Sequence, residues 1–147
     1  MYQRVLIPTD GSKLSHTAAQ AGIDLAESLG ADVVALYVVP RYPMSFFEGG
    51  VSLSMEETKK IEKQWADKAD AVVADLKAQA QAQGLKAKAV TVRSDLVAES
   101  IIATAKKQKC DLIVMASHGR KGLKRLLLGS ETTNVLTHSH IPVLVLR

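Results

Sequence analysis

Leu112-Ile113-Val114-Met115 runs directly into Ala116-Ser117-His118-Gly119-Arg120-Lys121-Gly122-Leu123-Lys124-Arg125-Leu126-Leu127-Leu128-Gly129-Ser130. The four opening side chains are all aliphatic, with no polar alternation. That reads as a strand buried on both faces, which is how a strand of a parallel sheet under helices looks. A glycine-bearing basic loop follows, and Gly129-Ser130 closes it just ahead of a segment, Glu131 to Thr137, that can form a helix. Strand, loop and helix start together make an anion site. Glycine lets backbone approach a ligand closely, and the first N–H groups of a helix point outward along a favourable dipole. The stretch therefore predicts phosphate binding, with a nucleotide as the favoured source of the phosphate.

The same alternation extends through the chain. Arg4 to Pro8, Asp32 to Val39, Lys88 to Val92, Asp111 to Met115 and Ile141 to Leu146 read as strands. Lys13 to Leu29, Met55 to Gln83, Leu96 to Lys107 and Glu131 to Thr137 read as helices. Gly30 ends the first helix and Pro40 stops the second strand. In the long helix, Ile61, Trp65, Ala69, Val72 and Leu76 fall on one face, which the helical period assigns to the core. Strand and helix in strict alternation imply right-handed crossovers and a parallel sheet covered on both sides. With 147 residues, the chain forms one α/β domain over positions 1–147. Pro40 to Ser54 is the longest irregular piece, long enough to be a lid or a mobile connector.

Composition narrows the function. A 47% hydrophobic and 23% charged chain is an ordinary globule. No apolar run approaches the roughly 20 residues that cross a bilayer, so no membrane role is expected. One cysteine, Cys110, allows no internal disulfide and fits a reducing compartment. Met1-Tyr2-Gln3-Arg4 leads into Val5 without the plan of a signal peptide, and the expected location is cytoplasmic. The net charge of +4 is spread along the chain and aromatics are few, so nucleic acid is not expected as a partner. His118, His138 and His140 lack zinc spacing, and no metal site is expected from them. Cys110 has no identifiable base partner and reads as a space-filler.

In open parallel sheets, ligands bind outside the carboxyl ends of the strands, at the switch point. Pro8-Thr9-Asp10-Gly11-Ser12, the turn after Val38-Val39, and Ala116 to Ser130 leave such ends. They share a crevice if the first and fourth strands are neighbours. Asp10 can hold a ribose hydroxyl, an adenine amino group or a phosphate-bound metal there; equally, Asp10 or Ser12 can cap the next helix. Arg120, Lys121, Lys124 and Arg125 can neutralise polyphosphate. The spacing is neither a P-loop nor a dinucleotide fingerprint, since no lysine precedes Gly129-Ser130 in the required way and Gly11 stands alone. A phospho-acceptor receiver domain needs more acidic residues beside Asp10 than Val5-Leu6-Ile7-Pro8 supplies.

These residues resemble the universal stress protein family over essentially the whole chain. The motif of its nucleotide-binding branch is Gly, two residues, Gly, nine residues, then Gly-Ser or Gly-Thr. Gly119 matches the second glycine, Arg120 to Leu128 supply the nine residues, and Gly129-Ser130 closes the motif. The opening Val5 to Ser12 and the closing Ile141-Pro142-Val143-Leu144-Val145 also look like the family's. Ala116 stands at the first glycine, where its methyl is tolerated if φ is negative. Glu131 adds a charge that suits the helix dipole but not a neighbouring phosphate.

The resemblance implies a flavodoxin-like or Rossmann-like sheet of five parallel strands in the order 3-2-1-4-5. It also implies ATP, or AMP or ADP, with Mg2+ as a companion. Its site would comprise Pro8, Thr9, Asp10, Val38, Met115, Ala116, His118, Gly119, Arg120, Gly129, Ser130, Glu131 and Thr132. Adenine would lie near Val38 and Asp10, and phosphates on Gly119, Gly129, Ser130 and Thr132. The expected role is a nucleotide-dependent switch in stress tolerance. It would work as a homodimer through Ile141 to Leu146, with a protein partner that the sequence does not identify. Two other readings stand beside it: an adaptor with weak or no nucleotide binding, and a slow hydrolase using Asp10 or His118. No fast turnover is expected, because no residue convincingly positions water.

Overall fold

All five residues of β4 (Leu112–Ala116) are buried, and so are Val5, Leu6 and Ile7 of β1 (Arg4–Thr9). The two strands pair in parallel, Val5 with Leu112 and Leu6 with Ile113. A computed structural model describes residues 1–42, 54–119 and 127–147 of the chain. The lid reading of Pro40 to Ser54 falls mainly on 43–53, outside the described residues. Arg120, Lys121, Lys124 and Arg125 lie outside them too.

Around that pair the order is β1, α1 (Lys13–Leu29), β2 (Asp32–Val39), α2 (Met55–Ala82), β3 (Ala87–Arg93), α3 (Val97–Lys107), β4, α4 (Ser130–His138) and β5 (Val143–Leu146). The sheet has five strands in the order β3-β2-β1-β4-β5, each neighbouring pair parallel. Successive side chains point to opposite faces, so the strands build two cores. Val5, Ile7, Val33, Ala35, Leu112 and Val114 pack under α1 and α2. Leu6, Val34, Leu36, Ile113 and Met115 pack under α3 and α4. The expected fold is thus observed, and with it the switch point between β1 and β4.

Local chemistry sets the ends. Ser12 caps α1 by accepting from Ser15 N, and Gly30 closes the helix at φ 64°. Ser54 and Glu57 form a reciprocal capping box at the start of α2. Most boundaries fall within a residue or two of the sequence reading. The stripe of α2 differs slightly. Val73 is buried and Val72 only partly so, because the core row runs Ala69, Val73, Leu76, Ala80. The last strand starts at Val143 rather than Ile141, after Pro142, which has no N–H to give.

Asp111 ties the amino end of β1 to the start of β4. Its carboxylate accepts from Gln3 N at 2.9 Å and from Arg4 N at 2.9 Å. Burial alone would raise its pKa. The N–H groups of Arg4 and Gln3 outweigh that and hold it below the ordinary 3.8. A depressed carboxyl stabilises the fold above its unfolded value and loses that stability as pH falls through the lower folded value. Asp111→Asn is therefore expected to lower stability near pH 7 by about 1 kcal/mol, since the group is partly in water. The gap to wild type should close as pH drops below 3.8. Thermal melts from pH 2 to 7 check this, and a gap independent of pH contradicts it.

Candidate functional site

At the carboxyl end of β1, Thr9 is buried and its Oγ1 lies 3.0 Å from Ser15 Oγ. Asp10 follows. Its Oδ1 accepts from Ser12 N at 2.9 Å, and its main-chain oxygen accepts from Tyr37 Oη at 2.9 Å. Ser12, not Asp10, caps α1. The Asp10 carboxylate instead fixes the turn and reaches across to β4. A Cβ on Gly119 would overlap Asp10 Oδ2. Gly119 is not among the positive-φ glycines, which are Gly11, Gly30 and Gly84. Closeness to Asp10, not backbone conformation, is what requires glycine there.

Gly129 stands on the other side of this space. Its N–H donates to Ser117 O at 2.8 Å. A Cβ on it would lie 3.1 Å from both Cα and Cβ of His118. Ser117 is buried, with Oγ 3.1 Å from His118 Nδ1. His118 is thereby held between the end of β4 and the start of α4. Among the described residues no side chain caps the start of α4. Its first intrahelical bond runs from Thr133 N to Gly129 O at 2.9 Å. The N–H groups of Ser130, Glu131 and Thr132 precede that bond and are the ones a helix start leaves to an outside acceptor.

Other expected residues take different parts. Thr132 is 2% exposed and its hydroxyl donates to Ala116 O at 3.0 Å. What it has left for an anion is its main-chain N–H. Ala116 does not have positive φ, so the methyl in place of glycine costs little. Glu131 turns its carboxylate away, accepting from Ala98 N at 3.0 Å. Met115 packs into the core under α3 and α4, so its side chain does not line the crevice. Pro8 and Val38 are half-buried at the ends of β1 and β2. Arg120 lies outside the described residues.

The sequence reading missed Tyr37, whose ring is buried while its hydroxyl holds Asp10 in place. The signal was there: a lone phenol late in an apolar strand usually carries its polar tip to the rim. Cys110 is buried and desolvation pushes its thiol up to about 11, which fits a space-filler. Among the described residues no group of three or more His, Cys, Asp or Glu side chains is placed to hold a metal, and no helix is long and apolar enough to cross a membrane. An open helix start, a glycine cradle and a carboxylate opposite fit a phosphate with a hydroxyl-bearing group attached.

The model of the universal stress protein family matches residues 1–147. Universal stress protein MJ0531 of Methanocaldococcus jannaschii is 38% identical over 149 residues, covering 100% of this chain and 83% of that protein. The solved structure of MJ0577 is 29% identical with a TM-score of 0.81, covering 99% of this chain and 96% of that one. A universal stress protein solved in complex with cAMP shares the fold at a TM-score of 0.71 and 24% identity, covering 99% and 97% of the two chains. The chain belongs to the universal stress protein family.

Proposed function

We propose that this protein binds an adenine nucleotide between Asp10 and the start of α4, and acts in the stress response as a nucleotide-dependent switch. The observation that carries this is the uncapped start of α4, set beside Gly119 and Asp10 at the β1/β4 switch point. Phosphates would take the N–H groups of Ser130, Glu131 and Thr132, with Gly119 and Gly129 allowing the approach. Asp10 would accept from a ribose hydroxyl. It is also the carboxylate that would face a Mg2+ ion carried in with the phosphates. Pro8, Thr9, Val38 and the backbone at Met115 and Ala116 would form the floor and the base-side wall. Relatives of the same fold solved with cAMP and with dAMP support an adenine ligand.

Calorimetric titration of nucleotide-free protein with Mg-ATP, ADP and AMP tests the reading. Binding tighter than millimolar by at least one is the expected result. If none binds, and none is released from the purified protein on denaturation, the adaptor reading takes its place. Fast hydrolysis is not expected of this site, because among the described residues only Asp10 and His118 are available to position water.

The proposed working form is a homodimer through β5. Among the described residues that strand pairs only with β4 and ends the sheet. Leu144 is 40% exposed on the α1/α2 side, while Val143 and Val145 face the core under α3 and α4. Apolar edges of this kind favour pairing, and a two-fold contact would set Leu144 against its own copy. Leu144→Lys is expected to convert the dimer to a monomer at micromolar concentration while leaving the fold intact. Light scattering with circular dichroism checks both. A wild-type chain that stays monomeric at all concentrations removes the proposal.

A further inference from the structure

Helix α3 starts without a cap of its own. Its N-cap residue is Leu96, and no side-chain bond closes that end. The bond comes from another helix: Glu131, in the first turn of α4, accepts from Ala98 N at 3.0 Å. One carboxylate thus lies between two helix starts, with its backbone in the proposed phosphate-binding turn and its oxygen on the first turn of α3. Beside this bond the two helices part around a groove of about 500 Å³ whose lining includes Ala98, Glu99, Ile102, Lys106, Asn134 and His138. Among the described residues this bond is the only hydrogen bond joining α3 to α4, and it sits at their site-facing ends.

We propose that Glu131 is a positioning residue that couples anion binding at α4 to the order of the α3 start. This rests on the nucleotide-site reading above. Holding the first turn of α4 against α3 fixes the N–H groups of Ser130, Glu131 and Thr132 before a ligand arrives, which cuts the ordering cost of binding. The coupling is reciprocal by thermodynamic necessity. A phosphate that steadies the first turn of α4 steadies the Glu131 carboxylate, and with it the Ala98 N–H. Loss of the carboxylate loosens α3 and removes the coupling, so the ligand loses the affinity that the coupling supplied. The charge opposes this mildly, since it adds repulsion toward phosphate. Removing only the charge and removing the acceptor therefore have different effects.

The test follows amide exchange at Ala98 by NMR, with and without saturating Mg-ATP, ADP or AMP, alongside titration of the same nucleotides. In wild type, nucleotide should slow Ala98 exchange by about fivefold, the lower range of such couplings. Glu131→Ala should speed exchange in the nucleotide-free protein, abolish the ligand-dependent slowing and weaken affinity by about the same fivefold. Glu131→Gln keeps an acceptor oxygen and should restore both readouts. Glu99→Gln changes charge at the same helix start without touching this bond, and should change neither.

Nucleotide that binds wild type without altering Ala98 exchange overturns the coupling and leaves the binding site standing. So does Glu131→Ala protein that binds as tightly as wild type. If titration finds no nucleotide bound to wild type, the site reading fails first and the coupling falls with it.

Discussion

Gly129→Val is expected to cost at least a hundredfold in nucleotide affinity, about 2.7 kcal/mol, with the sheet still folded. The backbone at Gly129 is ordinary, φ −62° and ψ 155°, so a side chain is conformationally allowed there. Space is what forbids it. A Cβ already lies 3.1 Å from the Cα and Cβ of His118 and 3.4 Å from Ser117 O. Valine's two further methyls must push the start of α4 off the end of β4, breaking the Gly129 N to Ser117 O bond. The N–H groups then no longer converge where phosphates would sit. Gly119→Ala acts on the opposite wall by displacing the Asp10 carboxylate, whose other oxygen holds Ser12 N. Titration with the tightest-binding nucleotide measures both, and far-ultraviolet circular dichroism confirms the fold. Wild-type affinity in Gly129→Val would mean that phosphates are not held at this helix start.

The largest effect on stability is expected at Gly22, in the middle of α1. A Cβ built there lies 2.9 Å from Ile7 Cδ1 and 3.3 Å from both Ile7 Cγ1 and Val114 Cγ1. Glycine weakens the helix by about 1 kcal/mol relative to alanine. In exchange, α1 comes down onto β1 and β4 side by side. Gly22→Val adds three carbons to a site with room for none and should destabilise by about 3 kcal/mol, the upper range for overpacking. For a domain of this size that is a fall of roughly 10 °C in melting temperature. Gly22→Ala should lose less, because helix propensity offsets part of the crowding. Urea unfolding with an unchanged m-value is the measurement. A Gly22→Val protein within 1 kcal/mol of wild type would show that α1 can rise without cost.

The element pattern was legible because it is written locally. Leu112 to Met115 is apolar throughout, Gly30 follows a helical period, and Pro40 ends a run of apolar residues; each signal needs only its neighbours. The order of strands followed from the family resemblance, since crossover handedness alone says only that the sheet is parallel and covered on both faces. What escaped depends on direction and distance. Nothing near Met115 in sequence says that its side chain points under α3 instead of into the crevice. Glu131 finds Ala98 across 33 positions, so its charge was legible in the sequence but its bond to a second helix was not. Gly22 went unremarked, since a glycine needed for close approach has no local mark. Ala116 posed a question that only its φ answers, and the answer favours the site. Val72 and Val73 are adjacent, and a drift of the helical period by one residue decides which is buried.

The central place of β1 sets the order in which this chain can fold. Arg4 to Thr9 can pair with Asp32 to Tyr37 soon after both leave the ribosome. The other edge of β1 waits for Leu112 and Ile113, the partners of Val5 and Leu6. At 5–20 residues per second that wait lasts roughly 5 to 20 s. Until α4 follows, Leu6, Val34 and Leu36 lack part of the cover they have in the finished core. A nascent chain stopped before β4 therefore keeps one edge of β1 unpaired, and open edges invite pairing with another chain.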